Sequence, residues 1–372
     1  MDSRDMDTSE PRVIDVRSLP GTTVTEVVRG QGYFPVIAAV GEREVVVALR
    51  GGAGHIGLGG RLDLVRSRDA GLTWEAPVTV VDSERDDRNP ALGMVREGAL
   101  ALAYHWQGNY DAQGKWSPDL KRQDTRIVYS GDLGRTWTGD EPLHYTPLNG
   151  ASPFGKIRCH ADGTLYLPIY SGPVLPGLKG FVTVGPGTSP SYLLRSRDHG
   201  RTWGDPILVA MGLNEADVLF LPDGDWLFAG RSEQADEQAI YLCRSHDEGA
   251  TWGEVERVTA PHEHPPDLTL LHRDRVLLTF GRRHPPFGVE GLLSQDLGHT
   301  WDPRRLVFAD DLPGGDIGYP STILLAGGRL VTVFYSAGTP AQPFDAYTAR
   351  NAFCRAVCYD EQSLVEACAG TC

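Results

Sequence analysis

One eight-residue motif, Ser-x-Asp-x-Gly-x-Thr-Trp, occurs five times in this chain of 372 residues and constrains its fold more than any other feature. The copies begin 49 to 66 residues apart and are Ser67–Trp74, Ser130–Trp137, Ser196–Trp203, Ser245–Trp252 and Ser294–Trp301. Repeats of this period indicate a propeller or a solenoid. Ser and Asp side chains can bond to the amides of a tight turn, Gly supplies a positive φ, and Trp can pack between sheets. We interpret the motif as structural, because five equivalent aspartates cannot share one catalytic site.

A second repeat, a β-hairpin, occurs six times between these motifs. Each copy reads as a strand, a turn containing Gly or Asp, and a second strand. The first strands begin at residues 33–35, 88–90, 151–153, 214–216, 264–266 and 318–320, and the second strands cover 45–50, 99–105, 164–170, 225–231, 275–283 and 329–335. In five copies a third strand runs into the Trp motif and a fourth follows. The sixth copy lacks the motif, but residues 354–360 can supply its third strand and residues 12–17 its fourth.

We therefore predict an all-β fold, a six-bladed β-propeller with four-stranded antiparallel blades, closed into a ring by N- and C-terminal strands. A β-sandwich is the alternative, but it does not explain two interleaved repeats. The predicted domains are a flexible N-terminus (1–11), the propeller (12–366) and a Cys-containing C-terminal tail (367–372). Four of the six cysteines lie near the C-terminus, Cys354, Cys358, Cys368 and Cys372. We interpret them as free thiols, with a tail disulfide and a zinc site left open.

The chain is acidic, with 49 Asp and Glu against 35 Lys and Arg and a net charge of −14. Such a surface repels phosphate backbones and anionic lipid, so we expect neither a nucleic-acid nor a membrane partner. No apolar stretch is long enough for a transmembrane helix, and the polar N-terminus lacks the pattern of a signal peptide. The sequence therefore favours a cytoplasmic location. We expect no cofactor and no metal, since His262 and His264 have no evident third ligand.

The hairpin topology predicts where chemistry can occur. The start of the first strand and the end of the second lie at the same end of a hairpin, so one mouth of the channel should hold two rings of residues. The first ring is Phe34, Asn89, Ser152, Glu215, Pro265 and Tyr319, with Tyr33 and Arg88 one residue earlier; the second is Arg50, His105, Tyr170, Arg231, Arg282 or Arg283, and Tyr335. Arginines that converge in an acidic protein predict a ligand with a carboxylate. The alternative for each arginine is a solvated cap or an ion pair.

Glu215 and Tyr319 are the candidate reactive pair. A carboxylate at the mouth could take the phenol proton of Tyr319 and make it a nucleophile. Nearby arginines are expected to lower the pKa of the phenol further. The alternative is an ion pair between Glu215 and Arg231, with Tyr319 as a packing residue.

These residues resemble the sialidase (neuraminidase) superfamily, whose Asp-boxes, or BNR repeats, correspond to the five Trp motifs. The resemblance covers about residues 12–360. It implies a retaining exo-glycosidase, a hydrolase that holds its substrate's carboxylate with three arginines and uses a Tyr–Glu pair as nucleophile and an Asp as acid/base. By this resemblance Tyr319 in GYPS is the nucleophile, Glu215 in NEAD its base, Arg231 in AGRS and Arg282 or Arg283 in FGRRHPP bind the carboxylate, and Arg50 in VALR flanks the acid/base loop.

Two positions depart from the family pattern. Tyr33 stands where the family has its first arginine, and Arg88 could reach in as a substitute. The loop after Arg50 contains no carboxylate, and its titratable residue, His55, can serve as acid/base. Asp86 and Asp87 are other candidates for that role.

The sequence thus predicts a sialidase-like exo-glycoside hydrolase acting on a small-molecule or glycan substrate with a terminal, carboxylate-bearing sugar. The predicted catalytic residues are Tyr319, Glu215 and His55. The predicted substrate-binding residues are Arg50, Arg231, Arg282, Arg283, Arg88, Tyr33, Asn89 and His105. The alternatives are a non-catalytic propeller that binds glycan or protein, and a sugar lyase that uses His55 or His105 as base.

Overall fold

The computed structural model describes residues 13–338 and 349–370, and its strands form six separate sheets. The inner strands of neighbouring sheets contact one another around a closed ring, which confirms the predicted six-bladed β-propeller. The predicted flexible N-terminus, residues 1–11, and Cys372 lie outside the described residues. Within the described residues, the structure has no helix that is long and apolar enough to cross a membrane.

Two N-terminal strands precede the blades, β1 (Val13–Asp15) and β2 (Thr23–Arg29). Blade one contains β3 (Tyr33–Ala39), β4 (Val45–Gly51), β5 (Arg61–Ser67) and β6 (Val78–Val81). Blade two contains β7 (Asp86–Arg96), β8 (Ala99–Gln107), β9 (Gln123–Ser130) and β10 (Thr138–Pro142). Blade three contains β11 (Ser152–Pro153), β12 (Gly155–Lys156), β13 (Arg158–Cys159), β14 (Leu165–Tyr170), β15 (Val182–Thr183), β16 (Pro190–Ser196) and β17 (Gly204–Met211).

Blade four contains β18 (Leu213–Phe220), β19 (Trp226–Ser232), β20 (Ile240–Ser245) and β21 (Glu256–Arg257). Blade five contains β22 (Glu263–Leu270), β23 (Val276–Arg282), β24 (Gly288–Ser294) and β25 (Arg305–Ala309). Blade six contains β26 (Ile317–Leu324), β27 (Arg329–Ser336) and β28 (Phe353–Asp360), and α1 (Glu361–Ala369) follows it. Short 3-10 turns occur at Val16–Ser18, Pro118–Leu120 and Thr146–Leu148.

The ring closes through a different N-terminal segment from the one predicted. The expectation that residues 12–17 form the fourth strand of blade six is wrong, because β1 pairs in parallel with β25 of blade five. The fourth strand of blade six is β2, which pairs antiparallel with β28 from Thr23 opposite Cys358 to Arg29 opposite Phe353. The seven residues of β2 can cover most of the edge of β28, which the three residues of β1 cannot. Closure by N- and C-terminal strands is therefore confirmed, with β2 as the closing strand.

The five Trp motifs fold into the same turn. In the first copy the Ser67 hydroxyl donates to Asp69 and accepts from the Gly71 amide, while Asp69 accepts from the amide and the hydroxyl of Thr73. The other four copies repeat these bonds. The Trp side chain then packs between its own blade and the preceding one, as Trp203 does between blades two and three. These contacts give the motif a structural role.

Helix α1 follows β28 at the point where the other five blades carry the Trp motif. Its Leu364 and Cys368 side chains pack with the cluster between blades five and six, so the helix covers the interface there. The helix runs across the domain boundary predicted at residue 366, and residues 367–369 complete its last turn. Cys354, Cys358 and Cys368 are buried and form no disulfide within the described part of the chain.

The apolar core is divided into six clusters, one at each interface between neighbouring blades. The second strands supply continuous apolar runs to these clusters, and all seven residues of β4 are buried. Such runs are expected for strands covered on both faces. A seventh cluster, made of aromatic residues, lies where the inner strands begin, and it surrounds the candidate site.

The interior of the ring is crossed by buried ion pairs. The first strand of blade three is split into short pieces, and its middle piece β12 pairs in parallel with β7 of blade two. This pairing with the neighbouring blade brings Lys156 Nζ to 2.5 Å from Asp267 Oδ1 and to 2.7 Å from the carbonyl oxygen of Thr322. Arg158 Nη2 lies 2.6 Å from Asp217 Oδ2. The side chains of Lys156 and Arg158 therefore join blade three to blades four, five and six inside the ring.

Candidate active site

In four of the blades, one residue at the mouth has the same unusual backbone conformation. Phe34, Asn89, Glu215 and Tyr319 have positive φ angles of 53°, 50°, 36° and 46°. At each of them the register between the first and second strands of the hairpin is interrupted. A left-handed conformation in a residue other than Gly costs on the order of 1–3 kcal/mol and is concentrated at functional sites. The repeated bulge therefore marks this mouth as the candidate site.

The Tyr319 hydroxyl donates a short hydrogen bond to Oε1 of Glu215, although 104 residues separate them. The other carboxylate oxygen of Glu215 lies 2.5 Å from Arg231 Nη1. Glu215 and Tyr319 are 5% and 6% exposed, so bulk water screens these contacts little. Both interactions considered in the sequence analysis, the Tyr–Glu pair and the Glu–Arg pair, are thus present in one network.

Burial and charge set the protonation of this pair. Burial works against the charged carboxylate of Glu215, but Arg231, the Tyr319 hydroxyl and Arg283 together hold its pKa below the ordinary value. Burial, reinforced by the Glu215 carboxylate, raises the pKa of Tyr319 well above its ordinary value. Arg283 and Arg231 act on the pKa of Tyr319 in the expected downward direction, but burial and the Glu215 carboxylate outweigh them, so this pKa is raised on balance. The resting pair is a neutral phenol and an ionised carboxylate.

Arg283 stands beside this pair without an ion-pair partner among the described residues. Its guanidinium carbon lies 5.2 Å from the centre of the Tyr319 ring. Its Nε and Nη2 atoms are buried and have no hydrogen-bond partner in the described part of the chain, and the same holds for Arg231 Nε. Buried donors of this kind are costly unless a ligand or water satisfies them. The two arginines therefore offer buried hydrogen-bond donors that can bind an anion next to Tyr319.

Arg282, the other arginine of the FGRRHPP segment, is directed elsewhere. Its Nη1 donates to Glu290 Oε1 at 2.8 Å, so its charge is matched within blade five. The structure thus distinguishes the two candidates of that segment: Arg283 lies at the Tyr319 ring, and Arg282 lies against Glu290.

His55 reaches the mouth from the loop after β4. Its ring packs edge-on against Phe34 at 5.0 Å between centres, and Phe34 lies 4.9 Å from the Tyr319 ring. The His55 Nδ1 atom is 2.9 Å from Asp316 Oδ1. Tyr33 is fully buried beneath this group, with its ring 5.0 Å from that of Tyr335. The position that holds an arginine in the sialidase pattern is therefore part of an aromatic wall.

Arg50 and Asp86 hold the His55 loop in place. Arg50 is fully buried, its Nη2 lies 2.6 Å from Asp86 Oδ1, and it also donates to the carbonyl oxygens of Ala53 and Gly57. Asp86 accepts further hydrogen bonds from Tyr110 and from the Gly57 amide.

Asp87 is also fully buried and accepts hydrogen bonds from Ser83, and burial raises its pKa to about 6. Neither aspartate reaches the surface of the mouth, which leaves His55 as the acid/base candidate of this loop.

Arg88, Asn89 and His105 line a separate part of the mouth, between blades two and three. The pocket here has a volume of about 240 Å³. Asn89 donates to Ser152 at 2.9 Å and to Tyr170 at 3.1 Å, and Arg88 stacks 5.5 Å from the Phe34 ring. Burial and the nearby Arg88 lower the pKa of His105 to about 4, so its imidazole is neutral near pH 7. The pocket therefore offers hydroxyl, amide and imidazole groups close to Phe34.

The sequence analysis did not identify Asp316 as a site residue. Its side chain is only 10% exposed, and Oδ1 accepts from the Tyr335 hydroxyl at 2.5 Å as well as facing His55. The available signal was position: Asp316 directly precedes the strand that carries Tyr319, and Tyr335 was already placed in the ring at the mouth.

A family model described as a BNR repeat-like domain matches residues 61–332, well over half of the chain. A search of curated proteins found no match.

Solved structures share the fold at low sequence identity. A protein of unknown function from Dyadobacter fermentans DSM 18053 is 21% identical, with a TM-score of 0.72 over 92% of this chain and 100% of its own. The intramolecular trans-sialidase from Ruminococcus gnavus, in complex with oseltamivir carboxylate, is 13% identical, with a TM-score of 0.62 over 93% and 99%. A Trypanosoma rangeli sialidase, in complex with 2,3-difluorosialic acid, is 14% identical, with a TM-score of 0.63 over 96% of this chain and 60% of its own. The chain thus has the propeller fold seen in sialidases, and it belongs to the BNR repeat-like domain family.

Proposed function

We propose that the protein is a sialidase-like exo-glycoside hydrolase that removes a terminal sugar bearing a carboxylate. The observation that carries the proposal is the buried hydrogen bond from Tyr319 to Glu215, placed between Arg231 and Arg283. Blades four, five and six each contribute to this group. A tyrosine that only packs does not require a buried carboxylate at its hydroxyl, whereas a tyrosine nucleophile needs a base there.

The guanidinium donors of Arg231 and Arg283 that have no partner among the described residues support a binding site for the substrate's carboxylate here. Arg283 and Arg231 can donate to a planar carboxylate by charge-assisted bonds. That binding mode would place the adjacent anomeric carbon near the Tyr319 hydroxyl. A neutral phenol suits this carbon, because a carboxylate nucleophile would be repelled by the anion already attached there. We assign the hydroxyl groups of the sugar to the pocket of Arg88, Asn89 and His105.

In the first step the Tyr319 oxygen attacks the anomeric carbon while Glu215 takes the phenol proton. The bond to the leaving group breaks, and protonated His55 gives its proton to the departing oxygen. In the second step neutral His55 takes a proton from water, and the water oxygen attacks the same carbon. The Tyr319–carbon bond breaks, and the phenol recovers its proton from Glu215. Two displacements at one carbon give net retention of configuration.

A panel of acidic glycosides tests the proposal, with turnover measured for the wild type, Tyr319→Phe and Glu215→Gln. We expect hydrolysis of at least one glycoside, and a loss of about 10²–10⁴-fold in kcat in either variant. Tyr241→Phe is the matched control, since Tyr241 also donates to a glutamate, Glu237, at 2.7 Å, on an outer strand. This control should retain the wild-type rate.

Two outcomes would refute the proposal and identify the alternatives. Binding of acidic glycans without turnover would indicate a non-catalytic propeller. A product that absorbs in the ultraviolet through a new double bond would indicate a lyase.

A further inference from the structure

We infer that Asp316 is a positioning residue that fixes the orientation and tautomer of His55. The inference deepens the proposed function, because it rests on His55 as the acid/base of that mechanism. It concerns a residue that the sialidase pattern does not supply at this site, since His55 stands in a loop where the family has an Asp.

The geometry joins three blade segments at one carboxylate oxygen. Asp316 Oδ1 is 2.9 Å from His55 Nδ1 of blade one and accepts from the Tyr335 hydroxyl of blade six at 2.5 Å. The side chain of Asp316 is 10% exposed, whereas that of His55 is 26% exposed. The carboxylate is therefore the fixed inner group, and the imidazole is the group nearer to solvent and substrate.

Charge favours an ionised Asp316. Burial opposes the carboxylate's charge, but His55, Tyr335 and Arg283 hold the pKa of Asp316 below its ordinary value. Burial and the Asp316 carboxylate raise the pKa of Tyr335 well above its ordinary value, so Tyr335 remains a donor. An ionised carboxylate can only accept hydrogen bonds. Nδ1 of His55 must then carry a proton.

This arrangement sets what His55 can do. With a proton held on Nδ1, neutral His55 keeps its lone pair on Nε2, the atom that takes the proton from water in the second step. In the first step the Asp316 carboxylate stabilises the imidazolium that donates its Nε2 proton. A carboxylate–imidazole pair would thus perform the acid and base steps that a single carboxylate performs in the sialidase pattern.

The first test uses Asp316→Asn and a series of leaving groups. We expect kcat to fall by about 10²–10⁴-fold for glycosides whose leaving group is the hydroxyl of a second sugar. The fall should be far smaller for nitrophenyl glycosides, because nitrophenolate leaves without a proton from an acid. KM should change by less than about three-fold. In a His55→Gln background, Asp316→Asn should cause no further loss, because the two residues act as one unit.

Two further variants accompany this test. Asp311→Asn is the matched control, an exposed carboxylate in the same segment that faces Arg355, and it should behave as wild type. Tyr335→Phe keeps the carboxylate but removes its anchor, so a smaller loss with the same dependence on leaving group is expected. Equal losses for all leaving groups in Asp316→Asn, or full additivity with His55→Gln, would overturn the inference.

The second test does not need turnover. In protein labelled with 15N-histidine, the His55 ring signals are assigned by their loss in His55→Gln. We expect the Nδ1–H tautomer in the neutral wild type and a shift toward Nε2–H in Asp316→Asn. A wild-type protein with the Nε2–H tautomer contradicts the inference. A fixed Nδ1–H tautomer in a protein that turns over no acidic glycoside would instead refute the proposed function and leave the Asp316–His55 pairing standing.

Discussion

At the residue scale, the proposed site depends on which arginine lies next to Tyr319 and Glu215. Arg282 and Arg283 are adjacent in sequence, yet Arg282 is matched by Glu290 at 2.8 Å while Arg283 lies against the Tyr319 ring. Adjacent residues at the end of a strand point in opposite directions. We therefore assign the proposed carboxylate contact of blade five to Arg283.

The first prediction is that Arg283→Gln raises KM for an acidic glycoside about 10- to 100-fold, since a hydrogen bond to a charged group contributes about 1.5–3 kcal/mol. Steady-state kinetics measure this effect. The neighbouring Arg282→Gln serves as the comparison and should change KM far less. Equal effects in the two variants would contradict the assignment.

The second prediction concerns pH. The folded pKa of Glu215 is depressed, so its base form persists as the pH falls through the ordinary glutamate value of about 4.3. The fall in kcat/KM at low pH that protonation of Glu215 causes (its acid limb) should therefore lie below that pH. The residual activity of Glu215→Gln should not show this fall. An acid limb centred well above pH 4.3 and absent in the Gln variant would show that Arg231 and Arg283 do not stabilise the carboxylate.

At the element scale, two glycines allow blades five and six to approach each other beside the site. A Cβ on Gly281 would lie 2.9 Å from the carbonyl oxygen of His264 and 3.0 Å from the Cα of Gly318. Gly318 itself has a φ of 95° and directly precedes Tyr319. The contact between the two backbones thus sets the position of Tyr319.

The third prediction is that Gly281→Ala forces β23 and β26 apart, lowers stability by about 1–3 kcal/mol and lowers kcat by about 10²-fold. Urea unfolding and kinetics measure the two effects. Gly131→Ala is the control, because its Cβ would meet no atom within 4 Å. A fully active Gly281→Ala protein would show that this contact does not set the geometry of the site.

At the scale of the whole molecule, buried ion pairs hold the ring together from inside. Burial lowers the pKa of Lys156 and raises that of Asp267, which shows that both charges are costly to bury and depend on each other. They lie in different blades, 2.5 Å apart. Removing one partner leaves the other charge buried and uncompensated.

The fourth prediction is that Lys156→Met lowers the free energy of unfolding by about 3–5 kcal/mol. The double variant Lys156→Met/Asp267→Asn should recover part of this loss. Lys115→Met, at an exposed position, should change stability by less than about 0.5 kcal/mol. Unfolding of all three variants in urea tests the prediction, and an unchanged Lys156→Met protein would contradict it.

The sequence predicted the parts of the structure that repeat. The Trp motifs and hairpins indicated six blades, and strand topology brought Glu215 and Tyr319 to one mouth because it depends only on the direction of each strand. It could not predict non-repeating contacts. Three of these contacts depend on how segments distant in sequence pack together, which no local pattern encodes. They are the pairing of β1 with β25, the pairing of β12 with β7 and the contact of Asp316 with His55.

If Tyr319 is the nucleophile, it forms a covalent bond to the sugar, and mass spectrometry can detect that bond. The protein would be incubated with a fluorinated glycosyl fluoride of an acidic sugar that it hydrolyses, then digested and mapped. We expect an adduct on the peptide that contains Tyr319, and none in Tyr319→Phe. An adduct on another residue, or trapping that persists in Tyr319→Phe, would show that Tyr319 is not the nucleophile.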